Sequence, residues 1–177
     1  IVGILLLIPL VAGTLDGVTV GASWQMLVAR AVCHALAVLF WIYSIMRIPL
    51  AEVNALLNLG PVYATIGAAM YFGAGLKMRR VMAILISFTG AMAIIKPGFG
   101  EINLGTLAVM LTAPLFAVSD LIAKSLKQHH DDNVIIIALS AGIAVATAIP
   151  AVIVWQPMST MNWVGVLAIG VSATLGH

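Results

Sequence analysis

Charge is what this sequence lacks. Of its 177 residues, 8 are Lys or Arg and 6 are Asp or Glu, so 8% of the chain is charged, where a soluble domain carries about 25%. A water-facing surface cannot be built from that inventory, because every outward side would be a contiguous apolar patch. The net charge of +2 is too small to suggest nucleic acid. The single cysteine, Cys33, excludes an internal disulfide and any cysteine-only metal cluster, and reads as a small hydrophobe within a helix. Enzyme signatures are missing too: there is no H-E-x-x-H, no G-x-S-x-G and no G-x-x-x-x-G-K. An intramembrane enzyme is disfavoured because no nucleophile is paired with a base. "HHDD" at 129–132 offers metal-ligand residue types, but in a loop with no ligand spacing on a second element, so it reads as a solvated turn. No cofactor is implied.

What the chain does have is apolar length. It is 63% hydrophobic, with a mean hydropathy of +1.16. A bilayer core of about 30 Å needs about 20 apolar residues in a helix. Stretches at 24–46, 50–72, 80–96, 104–123 and 134–154 meet that need, with partial spans at 1–12 and 161–177. The runs are long and continuous rather than alternating every second residue, which predicts helices and not barrel strands. The expected fold is therefore an all-α membrane protein, a polytopic helical bundle of about seven segments, two of them truncated. Both ends fall inside apolar runs, "IVGILLLIPLVAG" and "WVGVLAIGVSATLGH", so the chain is expected to be a fragment of a longer membrane protein.

Connectors are short and marked by breakers, as in "RIP", "FGAGLKMRR", "KPGFGEINLG" and "KQHHDDN". Alternating them places loops 13–23, 73–80 and 124–133 on one side and loops 47–49, 96–103 and 155–160 on the other. The first set holds Lys77, Arg79, Arg80, Lys124 and Lys127, the second only Arg47 and Lys96. By the positive-inside rule the first set faces the cytoplasm. Small residues at 138, 142 and 146, and at 83, 87 and 91, recur every four positions and mark packing faces. A faint repeat also appears: "IPLV" at 8–11 precedes Trp24 by roughly the spacing at which "IPAV" at 149–152 precedes Trp163. If the two are copies, they lie five helices apart and cross the membrane in opposite directions, the inverted-repeat arrangement of many secondary transporters.

The few polar side chains are concentrated. In "RIPLAEVNALLNLGPVYAT", Asn54, Asn58, Pro61 and Thr65 share one narrow arc of a helix. The preceding span carries Arg30, His34, Trp41 and Ser44 in a similar stripe. Amides in lipid lack partners, so both stripes are expected to look inward, at other helices or a wet cavity. Together they would line a site for a small polar solute. The plainer alternative is that these groups only bridge neighbouring helices. Glu52, in the first turn after Pro49, suits a helix N-terminus at the water boundary and has the option of pairing with Arg47. Pro61 and Pro114 fall inside spans, where a kink frees backbone carbonyls. Asp120 is spaced to pair with Lys124; the sharper alternative is that it binds a proton or solute. Arg30 has the option of reaching the headgroups as an anchor.

"YSIMRIPLAEVNALLNLGPVYATIGAAMYFG" followed by "RRVMAILISFTGAMAIIKPG" resembles the third to fifth helices of an EamA-type domain of the drug/metabolite transporter superfamily. The matching features are the aromatic–small pair Tyr43–Ser44, the "PLAE" start, a mid-helix proline, a basic loop and the exit from Gly90 to Pro97. "LGTLAVMLTAPLFAVSDLIAKSLKQ" looks like the sixth helix and "GVSATLGH" like the eighth. The resemblance implies ten helices in two inverted five-helix repeats, with residues 1–98 a first repeat lacking its first helix and 99–177 a second repeat truncated in its third. It also implies movement of small organic metabolites across the cytoplasmic membrane. The bilayer and a small polar solute are then the expected partners, and a homodimer stays open. One departure is Ala74, where the family usually has an acidic residue after the fourth helix.

Overall fold

Hydrocarbon offers no partner to a backbone N–H or C=O, so an apolar chain of this kind closes its hydrogen bonds within helices. The computed structural model describes residues 24–73, 75, 77–95, 103–153 and 160–175, and among these every regular element is helical. The order is α1 (Trp24–Ile45), α2 (Leu50–Leu57), α3 (Gly60–Phe72), α4 (Met78–Ile95), α5 (Leu104–Leu126), α6 (Asp132–Ile153) and α7 (Thr160–Leu175). Among the described residues four stretches are long and apolar enough to cross a membrane: α1, the combined α2–α3, α5 and α6. Each expected span from residue 24 onward coincides with helix, within a few residues at its ends. The expected partial span at 1–12 lies outside the described residues, as does one arm of the proposed repeat.

Local sequence explains the boundaries. Pro49 caps α2 with an extended ψ of 137°, and its carbonyl accepts the first helical bonds from Glu52 and Val53. Asn103 caps α5, its Oδ1 accepting from the Gly105 N–H at 2.9 Å. Gly73 ends α3 at φ +62°, a left-handed conformation that a side chain resists. The Leu50–Phe72 span is broken: Asn58 and Leu59 lie between α2 and α3, and Pro61 stands in the first turn of α3. Proline at that position withholds the N–H that would have continued α2. Pro114 and Pro150, by contrast, sit inside continuous helices.

Helix α5 is the hub, packing on α1, α2 and α3, while α1 also packs on α6. Its buried positions explain why. Gly105, Val109, Thr112, Ser119, Ala123 and Leu126 are all buried, and with half-buried Phe116 they step by four and three residues in turn. That is the seam of a near-parallel helix pair, and its small members let a neighbour approach closely where lipid gives little apolar driving force. Contacts at both ends fix the directions. Ser44 at the end of α1 meets Gly105 at the start of α5, and His34 meets Ser119 further along, so these helices run antiparallel. Lys124 lies over the ring of Phe72, which brings the end of α3 to the end of α5. The connections at 73–77 and 127–131 therefore share one end of the bundle, and those at 46–49 and 103 the other, in the expected alternation.

Candidate functional site

The stripe on α1 turns toward α5 and α6. Ser44 is fully buried; its hydroxyl proton is shared between the carbonyls of Phe40, at 2.8 Å, and Gly105, at 3.0 Å. Glycine is needed opposite, because a Cβ at Gly105 would lie 2.9 Å from the Cβ of Arg47 and 3.1 Å from Cγ2 of Ile48. Further along, the Nδ1 of His34 lies 3.1 Å from the hydroxyl of Ser119, and its ring packs at 4.8 Å on Phe116. Arg30 donates from Nη1 to the carbonyl of Ile135 on α6 at 3.0 Å. Asp120, exposed on α5, is within electrostatic reach of both Arg30 and His34. Arg30, His34, Ser119 and Asp120 thus gather near the end of the bundle that carries the 127–131 connection. Trp41 is half-buried against the apolar cluster around Val53, Leu56 and Val109. Its indole N–H is enclosed, as is Nε of Arg30, and neither has an acceptor among the described residues.

The second stripe behaves differently. On α2 and α3 the residues Val53, Leu56, Leu59 and Val62 are buried, whereas Asn54 and Asn58 are exposed on the opposite side. No side-chain hydrogen bond is made by either amide among the described residues. The hydroxyl of half-buried Thr65 donates to the Pro61 carbonyl at 2.7 Å, which satisfies one backbone acceptor just past the break. The structure brings His34 and Asp120 into one neighbourhood, seats Ser44 and Trp41 in helix contacts, and leaves Asn54 and Asn58 on a face that nothing in the described chain covers.

Two expected pairings are not made. Arg47 does not bond Glu52: its guanidinium stacks over Tyr43 at 4.2 Å, while Glu52 Oε1 accepts from the Thr106 hydroxyl at 3.1 Å. The first turn of α2 directs Glu52 at the first turn of α5 rather than back along the chain. Lys124 does not bond Asp120, because the ring of Phe72 on α3 captures its ammonium at 4.8 Å. The ion pair that forms among the described residues joins Lys127 and Asp132 at 3.0 Å across the exposed connection. Ser119, Phe116, Gly105 and Thr106 were not singled out from sequence. The alternating four–three spacing along α5 is the signal that would have found the first three.

A bundle of membrane-length helices with polar groups turned between them is the class to which membrane solute carriers belong. Known proteins agree at that level. The chain is 27% identical over 157 residues to the pseudopaline exporter CntI of Pseudomonas aeruginosa, covering 86% of this chain and 54% of that protein. It is 27% identical over 157 residues to a riboflavin transporter of Vibrio cholerae, 88% of this chain and 52% of that protein. A riboflavin transporter of Rhizobium johnstonii is 31% identical over 137 residues, 70% of this chain and 45% of that protein. The chain spans about half the length of the curated relatives it matches. No family model matches it, and no solved structure does. It is a membrane protein related to bacterial transporters.

Proposed function

We propose that this chain forms part of an EamA-type carrier that moves a small polar organic solute across the cytoplasmic membrane by alternating access. In this reading residues 1–98 and 99–177 belong to two inverted repeats that rock about a midplane site. His34, Trp41, Ser44, Asn54, Asn58, Thr65 and Asp120 supply this chain's share of the solute pathway, with the basic connections at 73–80 and 124–133 in the cytoplasm. Relatives named as a pseudopaline exporter and a riboflavin transporter support a small organic solute in this reading. The observation that carries the reading is the uncovered pair Asn54 and Asn58 on a broken helix. Two amides facing acyl chains would lack partners, and discontinuous helices in carriers mark the substrate site. The test is transport by the whole protein reconstituted in vesicles, offered a panel that includes riboflavin. Asn54→Leu with Asn58→Leu is expected to abolish flux while membrane insertion stays intact; normal flux in that variant would refute the site.

A second reading has one observation in its favour. His34 and Ser44 have their hydrogen bonds taken up by α5, as expected of a non-transporting scaffold or assembly partner whose polar groups only join helices. Saturable, solute-dependent thermal stabilisation of the whole protein favours the carrier. Its absence across a broad metabolite panel favours the scaffold.

A further inference from the structure

The break between α2 and α3 takes carbonyl oxygens out of the regular helical bonding pattern. Four of the backbone N–H groups around it are taken by other carbonyls. Asn58 donates to Asn54 at 3.1 Å, Leu59 to Leu56 at 3.1 Å, Val62 to Leu59 at 2.9 Å and Tyr63 to Leu59 at 3.1 Å. None of them reaches the carbonyls of Leu57 or Asn58. The ordinary donor to Leu57 would be residue 61, which is proline and has no N–H; the ordinary donor to Asn58 is Val62, which bonds Leu59 instead. The Thr65 hydroxyl takes the Pro61 carbonyl, not these two. None of these four donors serves either carbonyl, and both stand at the C-terminal end of α2 where the helix dipole is negative. Asn58 lies eight residues from Leu50, about 12 Å along the axis at ~1.5 Å per residue, which is hydrocarbon depth. Asn54 and Asn58, one helical turn apart on the same uncovered side, add two amide oxygens that no donor holds.

We propose that this break binds a monovalent cationic group, using the carbonyls of Leu57 and Asn58 and the amide oxygens of Asn54 and Asn58. The inference rests on the reading that this face looks onto a solute pathway. Four neutral oxygens suit a singly charged group. A divalent ion would call for carboxylates to offset its dehydration, and the nearby carboxylate, Glu52, is turned to Thr106. An anion is disfavoured because the backbone carbonyls only accept and stand at the negative end of the α2 dipole. The same chemistry has two possible sources: a sodium ion that couples transport, or the primary ammonium group of the solute, which brings three donors of its own. Unwound carbonyls and half-helix C-termini hold cations in other broken-helix carriers.

The experiment measures thermal unfolding of the whole protein in lipid nanodiscs at constant ionic strength. Choline chloride is exchanged for sodium chloride, potassium chloride or methylammonium chloride. A saturable rise in Tm with sodium identifies the ion as the source, and one with methylammonium alone identifies an ammonium group. Either result supports the proposal only if the half-saturating concentration moves with the site. Asn54→Leu is expected to weaken it about tenfold, the loss of one hydrogen bond to a charged group, and Asn58→Asp, which adds a carboxylate, to strengthen it by a similar factor. The aspartate variant keeps the test decisive if the leucine variant fails to fold. No cation response in the native protein, or a response that neither variant shifts, overturns the proposal. Transport without a cation response overturns this inference alone; a site-dependent cation response without transport of any solute overturns the carrier reading and leaves the site.

Discussion

Gly142 on α6 offers the sharpest test of how closely the helices approach. A Cβ placed there would lie 2.6 Å from the Cβ of Ala31 on α1 and 3.5 Å from its Cα. Carbon atoms sit comfortably at about 3.5–4.0 Å, and the Ala31 methyl is fixed to its backbone, so Gly142→Ala can be relieved only by moving α1 and α6 apart by roughly 1 Å. Overpacking of this kind costs about 1–3 kcal/mol. Alanine returns about 0.8–1.0 kcal/mol through its better helix propensity, which leaves a net destabilisation of about 0–2 kcal/mol. Ala31→Gly removes the opposing methyl. The doubly exchanged protein carries the same atoms in mirrored places and should return close to native stability. Because propensity acts on each helix separately, the double-mutant cycle isolates the clash as a coupling of about 1–3 kcal/mol.

The assay is reversible unfolding in mixed micelles, followed by tryptophan fluorescence, for the native protein, both single variants and the double. Gly67→Ala serves as the contrast. A Cβ there meets only the end of the Leu121 side chain, which can rotate away for about 0.5–1.5 kcal/mol, a cost the propensity gain largely offsets. If the two changes add within about 0.5 kcal/mol, the close α1–α6 contact is refuted.

Ser44→Ala should destabilise the same unfolding transition by about 1 kcal/mol through loss of the buried hydroxyl's bond, and Ser44→Val by more, since it adds bulk where Gly105 leaves no room; equal effects would contradict the packing. Removing the Lys127–Asp132 pair by Asp132→Asn should change stability by less than about 1 kcal/mol, an effect that vanishes in high salt, because both side chains are more than half exposed. A salt-independent loss larger than that would show the pair to be shielded. For topology, Gln128→Cys and Met46→Cys, each in a Cys33→Ser background, should label with impermeant thiol reagents from opposite faces of the membrane; labelling from one face would overturn the alternation.

Hydropathy and breakers were enough to place the spans, because lipid imposes length and forbids open backbone, and both rules act on local sequence. The break at Asn58–Leu59 was legible from Pro61 for the same reason. Periodicity also grouped the α1 stripe correctly on one side. What it could not supply is the partner that the side meets. Residues 30, 34, 41 and 44 share a direction by geometry alone, but that direction points at α5 and α6, and the identity of those neighbours is a tertiary fact. The pairings of Arg47 with Glu52 and Lys124 with Asp120 failed on the same ground. Spacing permits a contact worth a few tenths of a kcal/mol, and an aromatic ring from another element, Tyr43 or Phe72, readily outbids it.

The two polar stripes, alike in sequence, therefore divide in the structure. Along α1 the seryl and imidazole groups close on α5 and leave little to offer a solute without parting the helices. Along α2 the amides stay open beside the carbonyls that end the helix. Opening the α1–α5 seam would expose His34 and Ser119 beside Asp120, which is already exposed, whereas the Asn54–Asn58 face is left uncovered by the described chain. A carrier that alternates requires one region that stays accessible to its cargo and another that can separate and close again. On the proposed carrier reading, the broken helix would serve the first requirement and the small-residue seam between α1 and α5 the second.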